Sequence, residues 1–307
     1  MASLWSLGDS PAGLLDLAVA LAQGASPPPP EVNAAARAAA PAIAELPAPR
    51  IRAAIEGVIM ARSLEVGLQW MHDAGVLGVV LPELEATVDF SQEAGRRHKD
   101  VWEHTKQVVT QSVPNPLVRW AALLHDIGKV PTRVMLPDGK VTFHRHAEIG
   151  ARMWEPIARR LGFDKEMRQQ IRFLVLHHLR ANAYAPSWTD AAVRRFDHEM
   201  GEHLDDLLDL SRADVTSRRP GRRQEAVRNI HAFKERILAL RELDARVPPL
   251  PPGLGNTIME AFGLPPSKRI GDLRKLCEDA VERGELEERR DAAYYVDYLR
   301  KSGSVGP

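Results

Sequence analysis

An apolar run, Ala121-Ala122-Leu123-Leu124, leads straight into His125-Asp126-Ile127-Gly128-Lys129. The apolar turn implies burial and Gly128 implies that the helix stops there, so Asp126 falls where an unpartnered carboxylate would be costly. A divalent metal compensates such a charge directly, because imidazole nitrogen and carboxylate oxygen are a usual ligand mix for Zn, Mn, Fe or Ni. In the competing reading His125 caps the last carbonyls of its helix and Asp126 is solvated.

Residues elsewhere bear on that choice. Val101, His104, Thr105 and Val108 lie at offsets of three, four and seven, which puts His104 on the inward stripe of the preceding helix. Leu207, Leu210 and Asp214 share a face by the same spacing, so three separate helices offer inward-facing polar ligands: His104, His125 with Asp126, and Asp214. Six of the 11 histidines fall between residues 104 and 178. Among them His144 and His146 open a helix, and His177 and His178 close another. His146, His177 and His178 could hold a second ion with Asp126 as the bridge, since two-metal hydrolases commonly share a carboxylate. A mononuclear site with these histidines on phosphate is the alternative.

The elements that must position these residues read as helices throughout, with apolar residues at three-and-four spacing from Pro49 onward. The one candidate hairpin is Val134 to Phe143, turning at Pro137-Asp138-Gly139. Asp164 caps a helix running to about Arg180, and Thr189 caps another that leads towards Asp214. Ser10 with Pro11 starts a short helix that ends near Gly24, and the four prolines Pro27 to Pro30 read as a stiff spacer that makes this helix an appendage. The Ala-rich stretch at 33–44 has few large side chains and is expected to be peripheral. Pro156 is expected to kink its helix near His146. After the Pro-rich joint at 247–252, Asn256 to Phe262 and Ser267 to Arg283 read as a helical pair ending at Gly284.

Composition limits what else the chain can be. Of its 307 residues 44% are hydrophobic, and 41 Lys and Arg balance 41 Asp and Glu, so no global field draws it to nucleic acid or anionic lipid. The densest basic cluster, Arg218, Arg219, Arg222 and Arg223, is either a local phosphate clamp or a solvated loop. No stretch approaches the length of a membrane span, and the apolar run Leu14–Ala22 follows no basic residue, which argues against a secretory signal. The single cysteine, Cys277, fits a reducing compartment, and the cytoplasm is the expectation.

The order His104, His125-Asp126 and Asp214, with the string HDIGK, resembles the HD phosphohydrolase superfamily. That resemblance implies that these four residues bind the catalytic metal, and that residues placed like His146, His177 and His178 complete a second site in dinuclear members. From about Leu46 to Arg300 the strings GVLGVVLPELEA, HKDVWEHTKQVV, RWAALLHDIGKVPTR, FHRHAEIGA and GNTIMEAFGLPPSKRIGDLRKL are similar to the neck, HD, body and tail regions of bacterial HD-containing CCA-adding tRNA nucleotidyltransferases. The polymerase head of that family needs a Gly-Ser pair followed by Asp-x-Asp. The only Gly-Ser is Gly303-Ser304 and no Asp-x-Asp occurs, so nucleotide addition by this chain alone is not expected.

The resemblance implies an all-α fold: an HD-domain helical bundle with a small C-terminal helical subdomain and at most one short hairpin. The segments expected are an N-terminal helix with Pro-rich and Ala-rich stretches at 1–46, neck-like helices at 47–90, the HD domain at 91–247 and a tail-like subdomain at 248–307. It also implies hydrolysis of phosphoesters of nucleotides or RNA ends, of 2′,3′-cyclic phosphodiesterase, 2′-nucleotidase or phosphatase type, by a metal-bound hydroxide. One or two ions of Mn, Ni, Co, Fe, Zn or Mg would serve. Asp126 is the expected bridge or orienter of the nucleophile. Lys129 and Arg133 are placed to neutralise phosphoryl charge, with Arg218 and Arg219 as further phosphate or RNA contacts. Two rivals stay open. A headless relative could bind tRNA or another RNA without catalysis. A cyclic-dinucleotide phosphodiesterase would carry a Gly-Tyr-Pro signature soon after His178, where this chain reads Leu179-Arg180-Ala181-Asn182-Ala183-Tyr184-Ala185-Pro186.

Overall fold

The computed structural model describes residues 10–90, 100–217, 219, 221–246 and 248–304. Among them the fold is all helical apart from one two-stranded antiparallel hairpin, β1 (Val134–Met135) and β2 (Val141–Thr142), which pairs Val134 with Thr142. By packing the chain forms two compact units, residues 1–183 with 205–230, and residues 184–204 with 231–307. The segments divided at 46 and 90 in the sequence thus pack within one unit, together with the residues of the candidate site.

That unit begins with α1 (Pro11–Ala22), capped as its sequence implies: the Ser10 side chain accepts from the Gly13 amide at 3.1 Å, with Pro11 at the first helical position. The expectation that α1 is an appendage is corrected. Leu14, Leu15 and Leu17 are fully buried, because α1 is apolar nearly all round and packs on α3 (Ala48–Ile59) and α4 (Leu64–Asp73). A side chain added at Gly67 of α4 would stand 2.7 Å from the Ala22 Cβ and 2.9 Å from the Ala18 carbonyl oxygen, so the two helices meet backbone to backbone. The proline run does not hold α1 away; it is a short extended link whose last member, Pro30, opens α2 (Pro30–Ala39). In α2 only Ala36 is buried, as the small side chains imply, but Ala40 and Ile43 at the end of the Ala-rich stretch are buried as well, so that end is not peripheral. Leu14→Ala is expected to destabilise the protein by about 2–5 kcal/mol in urea denaturation; no measurable change would return α1 to the status of an appendage.

The rest of the unit runs through α5 (Val76–Val80), α6 (Pro82–Glu85), α7 (Val101–Gln111), α8 (Pro116–Leu124), the short α9 (Lys129–Thr132), the hairpin, α10 (His146–Arg160), α11 (Lys165–His177) and, after α12 (Asp190–Met200), α13 (Leu204–Ala213). Side-chain caps set the starts: Asp100 on the Glu103 amide for α7, Asn115 on Leu117 for α8 and Asp164 on Met167 for α11. Helix α10 continues through Pro156 to Arg160. The helix expected to run from Thr189 towards Asp214 is instead two: α12 (Asp190–Met200) stops at Gly201, whose φ of 52° breaks it, and α13 resumes after a short 3-10 turn.

The second unit holds α12, most of α14 (Arg222–Arg246), α15 (Leu254–Phe262), α16 (Lys268–Glu282) and α17 (Ala292–Lys301). Its core packs Leu254, Ile258, Leu273, Cys277 and Leu299 around the buried Tyr295, and the expected pair α15 and α16 does end at Gly284. No helix among the described residues is long and apolar enough to cross a membrane.

Candidate metal centre

Five elements deliver side chains to one point inside the first unit. His125 is the C-cap of α8, His178 the C-cap of α11, His146 the first residue of α10, and His104 projects from the second turn of α7. Asp126 follows His125, and Asp214 follows the end of α13. His125, Asp126 and His178 are at most 2% exposed.

The last turn of a helix has carbonyls with no partner within the helix. Two of the histidines use them: His125 donates Nδ1–H to the Ala122 carbonyl at 2.7 Å and His178 to Val175 at 2.7 Å. His146 makes the same contact to Phe143 at 2.9 Å, and in all three the carbonyl lies three residues back. A carbonyl can only accept, so Nδ1 carries the proton and Nε2 of the neutral ring is a bare acceptor. His125 thus caps its helix through Nδ1 while its Nε2 stays turned into the site, and the solvated Asp126 of the competing reading is excluded by its burial.

The Nε2 atoms face other acceptors. His104 Nε2 lies 3.2 Å from His125 Nε2, 3.3 Å from Asp126 Oδ2 and 3.0 Å from Asp214 Oδ1. His125 Nε2 is 3.1 Å from Asp126 Oδ2 and 3.6 Å from Asp214 Oδ1. On the other side His146 Nε2 is 3.5 Å from Asp126 Oδ1 and 3.3 Å from His178 Nε2. The two oxygens of Asp126 thus face two groups, His104-His125-Asp126 and Asp126-His146-His178, either of which could hold a metal ion.

Two observations test whether a cation fits. Metal–ligand bonds of about 2.0–2.2 Å set neighbouring ligand atoms of one ion about 3.0–3.4 Å apart, by octahedral or tetrahedral geometry, and the separations above cluster there. The electrostatics ask for positive charge. Burial opposes protonation of His125, yet the charge of Asp126 and contacts to Asp214 outweigh it and hold its pKa up at about 10. For His104 burial is likewise outweighed by hydrogen bonds to Asp126 and Asp214, which raise it. Burial would raise both carboxyls, but the charge of His125 and Lys129 brings Asp126 well below the usual range, and contacts to His104 and His125 do the same for Asp214. His178 is pushed down to about 4 by burial and then by His125, and burial lowers His146. Two neutral imidazoles with Nε2 lone pairs facing at 3.3 Å repel each other, a repulsion that a cation between them relieves, and the residues could hold one.

The other residues singled out in the sequence divide. Lys129 donates to Asp126 Oδ2 at 2.7 Å and its ammonium lies over the Phe143 ring. His177 joins neither group; its ring packs on Phe173, because at the end of α11 it points a full residue's turn away from His178. Arg133 lies over Phe90 and does not line the cavity that opens onto the site. Arg219 does line it, with Arg222. Arg218 lies outside the described residues. Sequence reasoning missed Thr216, whose hydroxyl meets His104 Nδ1 at 3.0 Å across 112 positions. Only its place two residues after Asp214 hinted at it.

Residues 88–219, which span both groups, match the family model of the HD domain. The chain carries an HD domain. The HD domain's surroundings are similar to known proteins as well. The chain is 32% identical over 254 residues to the A-adding tRNA nucleotidyltransferase of Deinococcus radiodurans, covering 80% of this chain and 57% of that protein. It is 30% identical over 257 residues to the CC-adding tRNA nucleotidyltransferase of Thermus thermophilus, covering 82% and 56%. The Multifunctional CCA protein of Pseudomonas savastanoi is 32% identical over 152 residues, 47% of this chain and 36% of that protein. The chain therefore spans little more than half the length of the first two relatives.

Proposed function

We propose that this protein is a metal-dependent phosphohydrolase acting on phosphoesters of nucleotides or RNA ends. The observation that carries the reading is the convergence of the Nε2 atoms of His104, His125, His146 and His178 on the two oxygens of Asp126. His104, His125, Asp126 and Asp214 would hold one ion, and Asp126, His146 and His178 a second, with Mn, Ni, Co, Fe, Zn or Mg as candidates. A divalent ion held there supplies Lewis acidity and makes water more acidic at neutral pH.

The chain's own residues do the rest. The carbonyls of Ala122, Phe143 and Val175 fix each histidine's tautomer and aim Nε2 inward. Lys129 holds Asp126 in orientation, and Arg219 and Arg222 are placed to receive phosphoryl oxygens entering through the cavity. Relatives named for tRNA nucleotide addition make tRNA or another RNA a plausible source of the ester. RNA binding without turnover is the second reading.

The test is a panel of 2′,3′-cyclic AMP, 2′-AMP, 3′-AMP and RNA with a cyclic phosphate end, given to metal-stripped protein with each ion in turn. Turnover should return with at least one metal, and stripping should lower the melting temperature, since metal binding adds to folding stability. Silence across the panel with steeply salt-dependent RNA affinity would favour the binding reading.

A further inference from the structure

The metal centre opens into a cavity of about 1450 Å³, above the roughly 300–1,000 Å³ of ordinary small-molecule sites. Its floor is one face of α7. Trp102, Lys106 and Thr110 share the side of α7 turned to α4: the Trp102 indole and the Lys106 ammonium donate to Gln69 at 3.4 and 2.5 Å, and the Thr110 hydroxyl donates to Glu65 at 3.2 Å. His104 and Gln111 share another side, turned to the end of α13 and the segment that follows it, through Thr216 at 3.0 Å and the Ala213 carbonyl at 2.7 Å. Between these flanks Glu103 and Gln107 are exposed on the floor.

The cavity is therefore a groove along α7, walled by α4 with Pro27 and Asn33 on one side and by Thr216, Ser217, Arg219 and Arg222 on the other. Its lining extends from Asp100 to Gln111, about 16 Å at 1.5 Å per residue, with His104 about 6 Å from one end and about 10 Å from the other. A phosphorus atom at the metal ligands thus has room for a substituent on both sides. The charges are mixed, Arg219 and Arg222 on one wall facing Glu65 and Asp73 on the other, which suits a substrate with one or two phosphates better than a long polyanion.

We infer that the site takes short linear phosphodiesters of dinucleotide size in preference to mononucleotides, an inference that rests on the proposed phosphohydrolase. Water would add its oxygen to phosphorus as one P–O ester bond breaks. The departing ribose oxygen takes up a proton, leaving a phosphomonoester and an alcohol, with no co-reactant but water.

The experiment compares kcat/KM for the linear dinucleotide ApA, 2′-AMP, 2′,3′-cyclic AMP and cyclic di-GMP, in metal-loaded wild type and in Thr110→Trp, which places bulk in the longer arm of the groove. ApA should exceed both mononucleotides by at least about tenfold, because remote binding energy is spent at the reacting bond. Thr110→Trp should cut the ApA-to-2′-AMP ratio by a similar factor, with an unchanged melting temperature showing that it folds. Mononucleotides or cyclic di-GMP turned over faster than ApA, or a ratio untouched by Thr110→Trp, would overturn the inference and leave the phosphohydrolase standing. If no ester is hydrolysed, the phosphohydrolase fails, and binding of fluorescent ApA against AMP decides the groove: equal affinity, or ApA binding insensitive to Thr110→Trp, overturns it.

Discussion

Replacing Asp126 by alanine is expected to abolish binding at both groups and to cut turnover by more than about 100-fold, since losing even an outer partner of a metal ligand costs about 10–100-fold. The reason is its double duty: Oδ2 faces His104 and His125 while Oδ1 faces His146. Among the described residues no other side chain belongs to both groups. The substitution also leaves the Lys129 ammonium without the acceptor it holds at 2.7 Å. Metal content by elemental analysis and the ester panel read the result together. An alanine variant that keeps two ions and full turnover would remove Asp126 as the bridge.

Gly128→Ala is the second large effect, and its sign is the informative part. Gly128 has φ −67° and ψ −12°, a conformation alanine prefers, so on backbone entropy alone the change should stabilise by about 0.4–1 kcal/mol. The tertiary contact reverses this. A Cβ there would stand 2.1 Å from the His146 carbonyl oxygen and 2.6 Å from the Gly150 amide nitrogen, both backbone atoms of the first turns of α10. The helix must move away, at a cost at or above the about 1–3 kcal/mol of ordinary overpacking, and His146 moves with it. Stability in urea should fall and the His146-His178 group should lose its ion first. Gly150→Ala is the comparison, because its Cβ would meet only atoms at 3.5 Å and beyond. Equal stability of Gly128→Ala and wild type would mean that α10 is not seated on this turn.

What was legible in advance follows from local chemistry. The caps at Ser10, Asp164 and Thr189 were readable because a side-chain oxygen satisfies an amide two or three residues on, an interaction that needs no tertiary partner. The hairpin was readable from its turn residues. The status of α1 was not: a proline run says that a link is stiff, not what the helix before it packs against, and Gly67 as the docking point gives no local signal.

The same division runs through the site. The sequence by itself determined the candidate ligand types, the buried His125-Asp126 pair and the inward stripe carrying His104, because burial and periodicity are properties of each helix alone. Only the tertiary structure decided that His178 and not its neighbour His177 enters the second group, that Thr216 orients His104, and that Arg133 turns to Phe90. It also decided that the centre opens midway along α7. Each of these depends on how one helix is rotated and seated against another, a sum of many small contacts between residues far apart in the chain, and spacing within a single helix carries no record of it.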